Sequence, residues 1–308
     1  MNTANFDWLS DLTPLFKAQE SWFDGSYQRI TNLQVMSGTE TPFSISCGAG
    51  LLAEHISRFR FTPALIQRLG QVTDPRGRSV FHESFLNHLQ RLRLRINVQT
   101  AAEGTLILPG EPLIIVQGPW IQALLLESAF HLMIWESSHW ATQAALLNWE
   151  KKQISEEITP APPAYTFNPA GWKKRALYIG GNENGGDKQA APWPGMSQVL
   201  HDNEQPIRQI RRLFQGDHPL GDVWLTQSQE NQASVSRTHI DFKDNISGSQ
   251  NTVQMSRFQN LYQAVLLKGH PILTGSSLDY LRQRTWKQLE AFGQINLAEY
   301  PRGWYQEA

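Results

Sequence analysis

The sequence predicts a mixed α/β chain of two domains, and three features carry that expectation. Apolar residues recur at helical spacing in some windows and alternate at strand spacing in others. The proline-rich stretch 159–164 (TPAPPA) cannot continue the helical window before it and reads as a linker. The length of 308 residues fits two units at about 150 residues each. The expected domains are therefore 1–158 and 159–308.

Residues 41–58 read as an alternating strand, a glycine turn at Gly48 and Gly50, and then a helix. Thr62 and Pro63 form an N-cap and first helical position, which predicts a helix over 63–70. Phe81, Phe85, Leu89 and Leu92 lie at helical spacing and predict an amphipathic helix within 80–93. Strands are expected over 94–102 and 105–117, the second broken at Pro109-Gly110. The window 120–152 is long for one globular helix, so a break is expected near Ser137-Ser138. Beyond the linker, strands are expected at 164–168, 176–180, 222–226, 238–242, 271–274 and 294–298. Helices are expected at 203–214, 254–268 and 277–292. Such alternation points to a parallel sheet or barrel.

Composition excludes several classes. The net charge is −1, so the chain has no general basic excess for a nucleic-acid backbone, and no nucleic-acid partner is expected. Apolar residues make up 40%, including 11 Trp, which excludes wholesale disorder. The lone Cys47 excludes an intrachain disulfide and a multi-cysteine zinc site, and reads as a small core residue. No apolar run reaches the roughly 18 residues of a spanning helix, so no membrane partner is expected. Met1–Ser10 lacks the basic start and apolar run of a signal peptide, so a cytoplasmic location is expected. The nine His form no H-E-x-x-H, and neither G-x-S-x-G nor G-x-G-x-x-G occurs.

A run of small and charged positions has a more specific meaning. It comprises Gly50-Leu51, Phe59-Arg60-Phe61-Thr62, Phe85-Leu86 with Leu89, Glu103-Gly104-Thr105, Pro109, Glu111-Pro112-Leu113, Gly118-Pro119 and Leu125-Leu126-Glu127-Ser128. In order and spacing, 51–147 resembles the N-terminal domain of the nicotinate phosphoribosyltransferases, the type II phosphoribosyltransferase family. Asp11 to Gln19 is similar to the family's D-L-Y-x-L-T-M-A-x, with Thr13 where the family has a base-stacking tyrosine. After the linker, Arg175 to Gly181 resembles R-A-x-Y-I-G-G. Pro194 to Ser197, with His201 behind, resembles G-T-M-A-H-S. Asp241 to Asp244 resembles D-S-G-D, and Ser276 to Asp279 resembles S-x-x-L-D-E. Leu225–Gln229 lacks the acids of D-T-Y-D, and the chain ends at Ala308 without the G-V-G-T phosphate loop. The resemblance implies an α/β-sandwich domain followed by a reduced, irregular α/β barrel. It also implies a homodimer, and phosphoribosyl transfer between phosphoribosyl pyrophosphate and a nicotinate-like base, as in NAD biosynthesis.

That chemistry needs cations on the leaving pyrophosphate, backbone N–H groups on the 5′-phosphate, and carboxylates on ribose and metal. By resemblance, His201, Arg175 and Asp241 are the catalytic candidates. Lys173, Lys174, Asp244, Ser276, Asp279, Gly180 and Gly181 are the substrate-binding candidates, and Asp241 with Asp244 would hold Mg2+, with no tightly bound cofactor expected. Each has a plainer reading as well. Lys173, Lys174 and Arg175 read equally as a solvated basic turn, and Asp241 and Asp244 as an exposed strand end. His201 reads as a surface histidine, Asp279 as a helix cap, and 180–188 as a flexible turn. Glu103, Glu111 and Glu127 read as structural, capping turns or bridging elements. Two further readings of the whole chain stay open: a pseudoenzyme that binds a ligand or partner protein without turnover, and a structural subunit completed by a second chain.

Overall fold

The computed structural model describes residues 11–26, 30–37, 41–107, 111–151, 169–181, 209–215, 218–225, 239–243, 250–254, 262–273 and 275–293. The first half is built on β5 (Pro112–Pro119), whose Leu113, Ile114, Ile115 and Val116 are all buried. A strand apolar on both faces belongs at the centre of a covered sheet. It pairs antiparallel with β1 (Ile30–Met36) on one side and β3 (Asn97–Ala101) on the other. The short β2 (Ser44–Ile45) and β4 (Leu106–Ile107) form a second antiparallel pair.

Helices cover the sheet. α1 (Thr13–Phe23), α2 (Ala49–Ser57), α3 (Pro63–Gly70) and α4 (Glu83–Arg91) bury Leu15, Leu52, Leu69 and Phe85 in one apolar core with β3 and β5. Thr62 caps α3 as the sequence predicts, its hydroxyl accepting from the Leu65 N–H at 3.2 Å. The long window stays helical but is divided, once at Leu126 and again at Ser137, where a π-helical turn gives way to α-helix at the place the sequence predicts. α5 (Trp120–Leu125) and α6 (Glu127–Phe130) meet at Leu126, and a π-helical turn, His131–Glu136, precedes α7 (Ser137–Lys151). Ser137 and Ser138 are both buried at the start of α7, and Ser138 lies on the face that meets the 45–47 segment. The Ser138 hydroxyl accepts from the Cys47 N–H at 3.0 Å, and the Thr142 hydroxyl from the Ile45 N–H at 2.8 Å. Side chains one helical turn apart thus satisfy donors two residues apart on an extended segment.

Several expectations beyond residue 164 are corrected, while the expected linker at 159–164 lies outside the described residues. Residues 176–180, expected as a strand, lie in or just after α8 (Pro169–Ile179). Trp172 and every residue from Arg175 to Ile179 are buried, so this half of α8 is covered all round. A short buried run of that kind reads alike as strand or helix. The helix expected over 203–214 gives way to β6 (Gln209–Gln215), paired with β7 (His218–Leu225). Only Gly216 and Asp217 separate them, a link short enough to specify a hairpin. The helix expected over 254–268 is replaced by the end of β9 (Gln250–Gln254), which pairs with β8 (His239–Lys243), and by β10 (Tyr262–Leu267). β10 turns at Lys268 (φ 49°) and Gly269 (φ 78°) into β11 (His270–Pro271), the positive φ pair of a tight hairpin. The strand expected over 271–274 is confined to that pair. The helix expected over 277–292 is α9 (Leu278–Gly293). The strands expected at 164–168 and 294–298 lie outside the described residues.

Every strand pair among the described residues is antiparallel, in place of the parallel pairing expected. β10 pairs with β3, giving a five-stranded sheet of order β1-β5-β3-β10-β11. α9 also returns to the first half: Leu106 N–H donates to Gln288 Oε1 at 2.6 Å, and Thr285 Oγ1 to the Gly104 carbonyl at 3.1 Å. Chain from beyond residue 261 thus completes the first sheet. The architecture is mixed α+β.

Candidate functional site

Two adjoining clusters hold four of the sequence candidates, Arg175 in the first and Gly180, Gly181 and Asp279 in the second. The first centres on Glu103, in the turn between β3 and β4. Its carboxylate accepts the Gly48 N–H at 2.6 Å and the Gly50 N–H at 3.3 Å, capping α2 at the positive end of the helix. Gly48 sits at φ 98°, where a Cβ would lie 1.5 Å from the Met133 carbonyl oxygen of the π-helical turn. The same carboxylate receives both terminal nitrogens of Arg175, at 2.8 and 2.9 Å. The two side chains are 4% and 3% exposed. Burial alone pushes the Glu103 carboxyl up, but the Arg175 charge and the four N–H donors outweigh it and hold it below the ordinary carboxylate range.

Arg175 is therefore not the solvated turn residue of the plainer reading, and its two terminal nitrogens are engaged by Glu103 inside the fold. Glu103 is structural, as expected. Cys47 lies beside the pair, 3.5 Å from Arg175 Nη1, and burial pushes its thiol up to about 12. A thiol so hard to ionise is no nucleophile, which agrees with its reading as a core residue.

The second cluster joins the end of α8 to the start of α9. The Tyr178 hydroxyl donates to Asp279 Oδ1. Burial first, then the bond and charge of Asp279, push the Tyr178 phenol up. Arg282 lies over the Tyr178 ring, 4.8 Å from its centroid, and reaches the Gly181 carbonyl at 3.4 Å. Gly181 adopts φ 93°, and Asn148 Nδ2 donates to the Gly180 carbonyl at 3.2 Å. A Cβ on Gly180 would lie 2.2 Å from the Ala141 carbonyl oxygen, so the glycine lets α8 close on α7.

Of the predicted residues, Gly180, Gly181 and Asp279 converge here, and Arg175 lies one helical turn back on α8. Ser276 is exposed just before α9, where the Ser277 hydroxyl accepts the Tyr280 N–H at 3.3 Å and acts as the cap. Lys173 stands over the Trp140 ring, 3.7 Å from its centroid, and Lys174 is exposed. Asp241 lies on β8 opposite Thr252, its side chain outside the described residues, as are His201 and Asp244. Sequence reasoning passed over Tyr178, Asn148 and Arg282. The signal for Tyr178 was present, since it sits inside the quoted Arg175–Gly181 stretch. Among the described residues, no three His, Cys, Asp or Glu side chains gather as a metal centre.

The other positions of the resemblance tie α1 to the long helical region. Lys17 pairs with Glu127 at 3.0 Å, and Asp11 accepts from the Ser128 hydroxyl at 2.8 Å. Glu127 is thus a bridge between elements, as expected.

A family model described as the nicotinate phosphoribosyltransferase N-terminal domain matches residues 32–134. That stretch runs from within β1 to within the π-helical turn and includes Glu103 and the glycine turn it caps. Residues 32–134 are similar to a nicotinate phosphoribosyltransferase N-terminal domain. Nicotinate phosphoribosyltransferase pncB1 of Mycobacterium tuberculosis is 31% identical over 123 residues, covering 39% of this chain and 26% of that protein. The nicotinate phosphoribosyltransferase of Bacillus subtilis is 26% identical over 178 residues, covering 56% of this chain and 34% of that protein. The matched stretches thus span about a quarter to a third of those relatives. The crystal structure of human nicotinic acid phosphoribosyltransferase superposes with a TM-score of 0.63 at 14% identity, over 92% of this chain and 94% of that one. The nicotinate phosphoribosyltransferase resemblance and the α+β fold both stand on these findings.

Proposed function

We propose that this chain is a nicotinate phosphoribosyltransferase-like protein that takes phosphoribosyl pyrophosphate and a pyridine-type base. The observation that carries the reading is the N-terminal domain match over 32–134, seated on the Glu103-capped glycine turn. In the transfer, the base nitrogen forms a bond to the sugar C1 as the C1–pyrophosphate bond breaks, and pyrophosphate leaves with its electron pair. Asp279, held by Tyr178 at the α8–α9 junction, is the group offered to ribose. The Gly180 and Gly181 N–H groups donate to the Ala176 and Tyr178 carbonyls, so those glycines stay assigned by resemblance alone. His201, Asp241, Asp244, Lys173, Lys174 and Ser276 remain assigned by resemblance, with Mg2+ on Asp241 and Asp244. The described residues include neither of those carboxylates, so no step is routed through the ion. A homodimer and a cytoplasmic location belong to the same reading.

A second reading, binding without turnover, is favoured by Thr13 and by Arg175. Threonine offers no aromatic face to a base, and Arg175 is held on Glu103 rather than turned toward a pyrophosphate. Losing charge-stabilising groups at about 2.7–4 kcal/mol each removes much of a rate enhancement. Pyrophosphate release from phosphoribosyl pyrophosphate, Mg2+ and nicotinate separates the two. Release that falls with Asp279→Asn supports transfer. Tight binding without release supports the second reading.

A further inference from the structure

Between α4 and β3 the chain reads Arg91-Leu92-Arg93-Leu94-Arg95. The leucines are half-buried against the main core and the three arginines are exposed. Gln122 fixes the extended form of this segment, donating to the Arg93 carbonyl at 3.0 Å and accepting from the Arg95 N–H at 2.7 Å. Arg93 and Arg95 therefore project to one side, at about 6.6 Å spacing along the strand direction. The β10–β11 turn seats on the same segment. Gly269 N–H donates to the Ile96 carbonyl at 2.8 Å, and Lys268 N–H to Asn97 Oδ1 at 2.7 Å. A Cβ on Gly269 would lie 2.2 Å from the Leu94 carbonyl oxygen, so glycine permits this close approach. It brings exposed Lys268 beside the arginines.

No carboxylate pairs with any of these four cations among the described residues. A chain of net charge −1 thus brings four exposed cations, none paired with a carboxylate among the described residues, into this segment and the turn seated on it. Beside them, Leu267 and Ile272 of the same hairpin are each 49% exposed. Single-stranded nucleic acid would require aromatic stacking faces, and the exposed apolar groups here are aliphatic. A protein partner would be anchored by aromatic residues in a packed interface centre, which this turn does not offer. Clustered cations with aliphatic side chains at an exposed tip suit the boundary of an anionic bilayer.

We propose that the Arg91–Arg95 segment and the β10–β11 turn form a peripheral docking surface for an anionic lipid membrane. This differs from spanning it: no helix among the described residues is long and apolar enough to cross. The test is flotation of the full chain with phosphatidylcholine vesicles, with and without about one-quarter phosphatidylserine. The chain is expected to float with the anionic vesicles and not the neutral ones, and to be released by salt. Arg93→Ala with Arg95→Ala lowers the partition about 25-fold, at about fivefold per cation. Leu267→Ser lowers it further. Arg68→Ala with Arg76→Ala removes the same charge from exposed sites outside the patch and changes partition by no more than about twofold. The proposal is overturned by absence of flotation with anionic vesicles. It is also overturned if the two arginine pairs have equal effects, or if capture is by oligonucleotide or polyglutamate and not by vesicles.

Discussion

The Glu103 carboxylate answers four donors at once, two from Arg175 and two from the start of α2. Removing one partner of a buried pair leaves the other charge uncompensated, which costs about 3–5 kcal/mol. Glu103→Gln is therefore expected to destabilise by that amount in urea unfolding. Glu103→Leu combined with Arg175→Met should cost less than the sum of the single changes. Strict additivity would mean that the ion pair is not the unit. The pH dependence has a defined sign. The Glu103 carboxyl is depressed in the fold, so its contribution is present above the unfolded carboxylate pKa and is lost as pH falls through the folded value. His55 acts in a higher window. Burial lowers it to about 4 from an ordinary 6.5, so the unfolded chain takes up the proton first. Stability should decline as pH falls from 6.5 toward 4, and His55→Asn should flatten that part of the profile. An unchanged profile would remove His55 from the account.

The elements show which signals the sequence carried. The glycine turn before α2 was legible because left-handed backbone has a residue signature, and Gly48 at φ 98° confirms it. Gly48→Ala adds an unfavourable conformation and a Cβ collision with the π-helical turn. The expected loss exceeds about 3 kcal/mol, measurable as a lowered Tm. Thr62→Ala removes only one cap bond and should cost about 1 kcal/mol. The helical start and stop residues of α3 and the buried face of α4 were similarly readable. The second half was harder because strand and helix patterns there are short. In α8 the apolar period is interrupted by buried Arg175, whose partner lies 72 positions away. No local window contains that pairing. In β10 two adjacent buried residues, Val265 and Leu266, gave neither period, and the hairpin signal lay in the Lys268-Gly269 pair after them.

At the scale of the whole molecule, the resemblance located the N-terminal domain, while periodicity alone predicted strands and helices without their pairing. β10 and α9 both return to the first half of the chain, so the α8–α9 junction depends on contacts spanning most of the sequence. This is why Asp279 could be singled out from sequence but its partner Tyr178, 101 positions away, could not be assigned to it. The most direct test of the central claim is calorimetric titration of the full chain with phosphoribosyl pyrophosphate and Mg2+, followed by nicotinate. The account predicts saturable heat with phosphoribosyl pyrophosphate that weakens in Asp279→Asn. No heat with either ligand would contradict it.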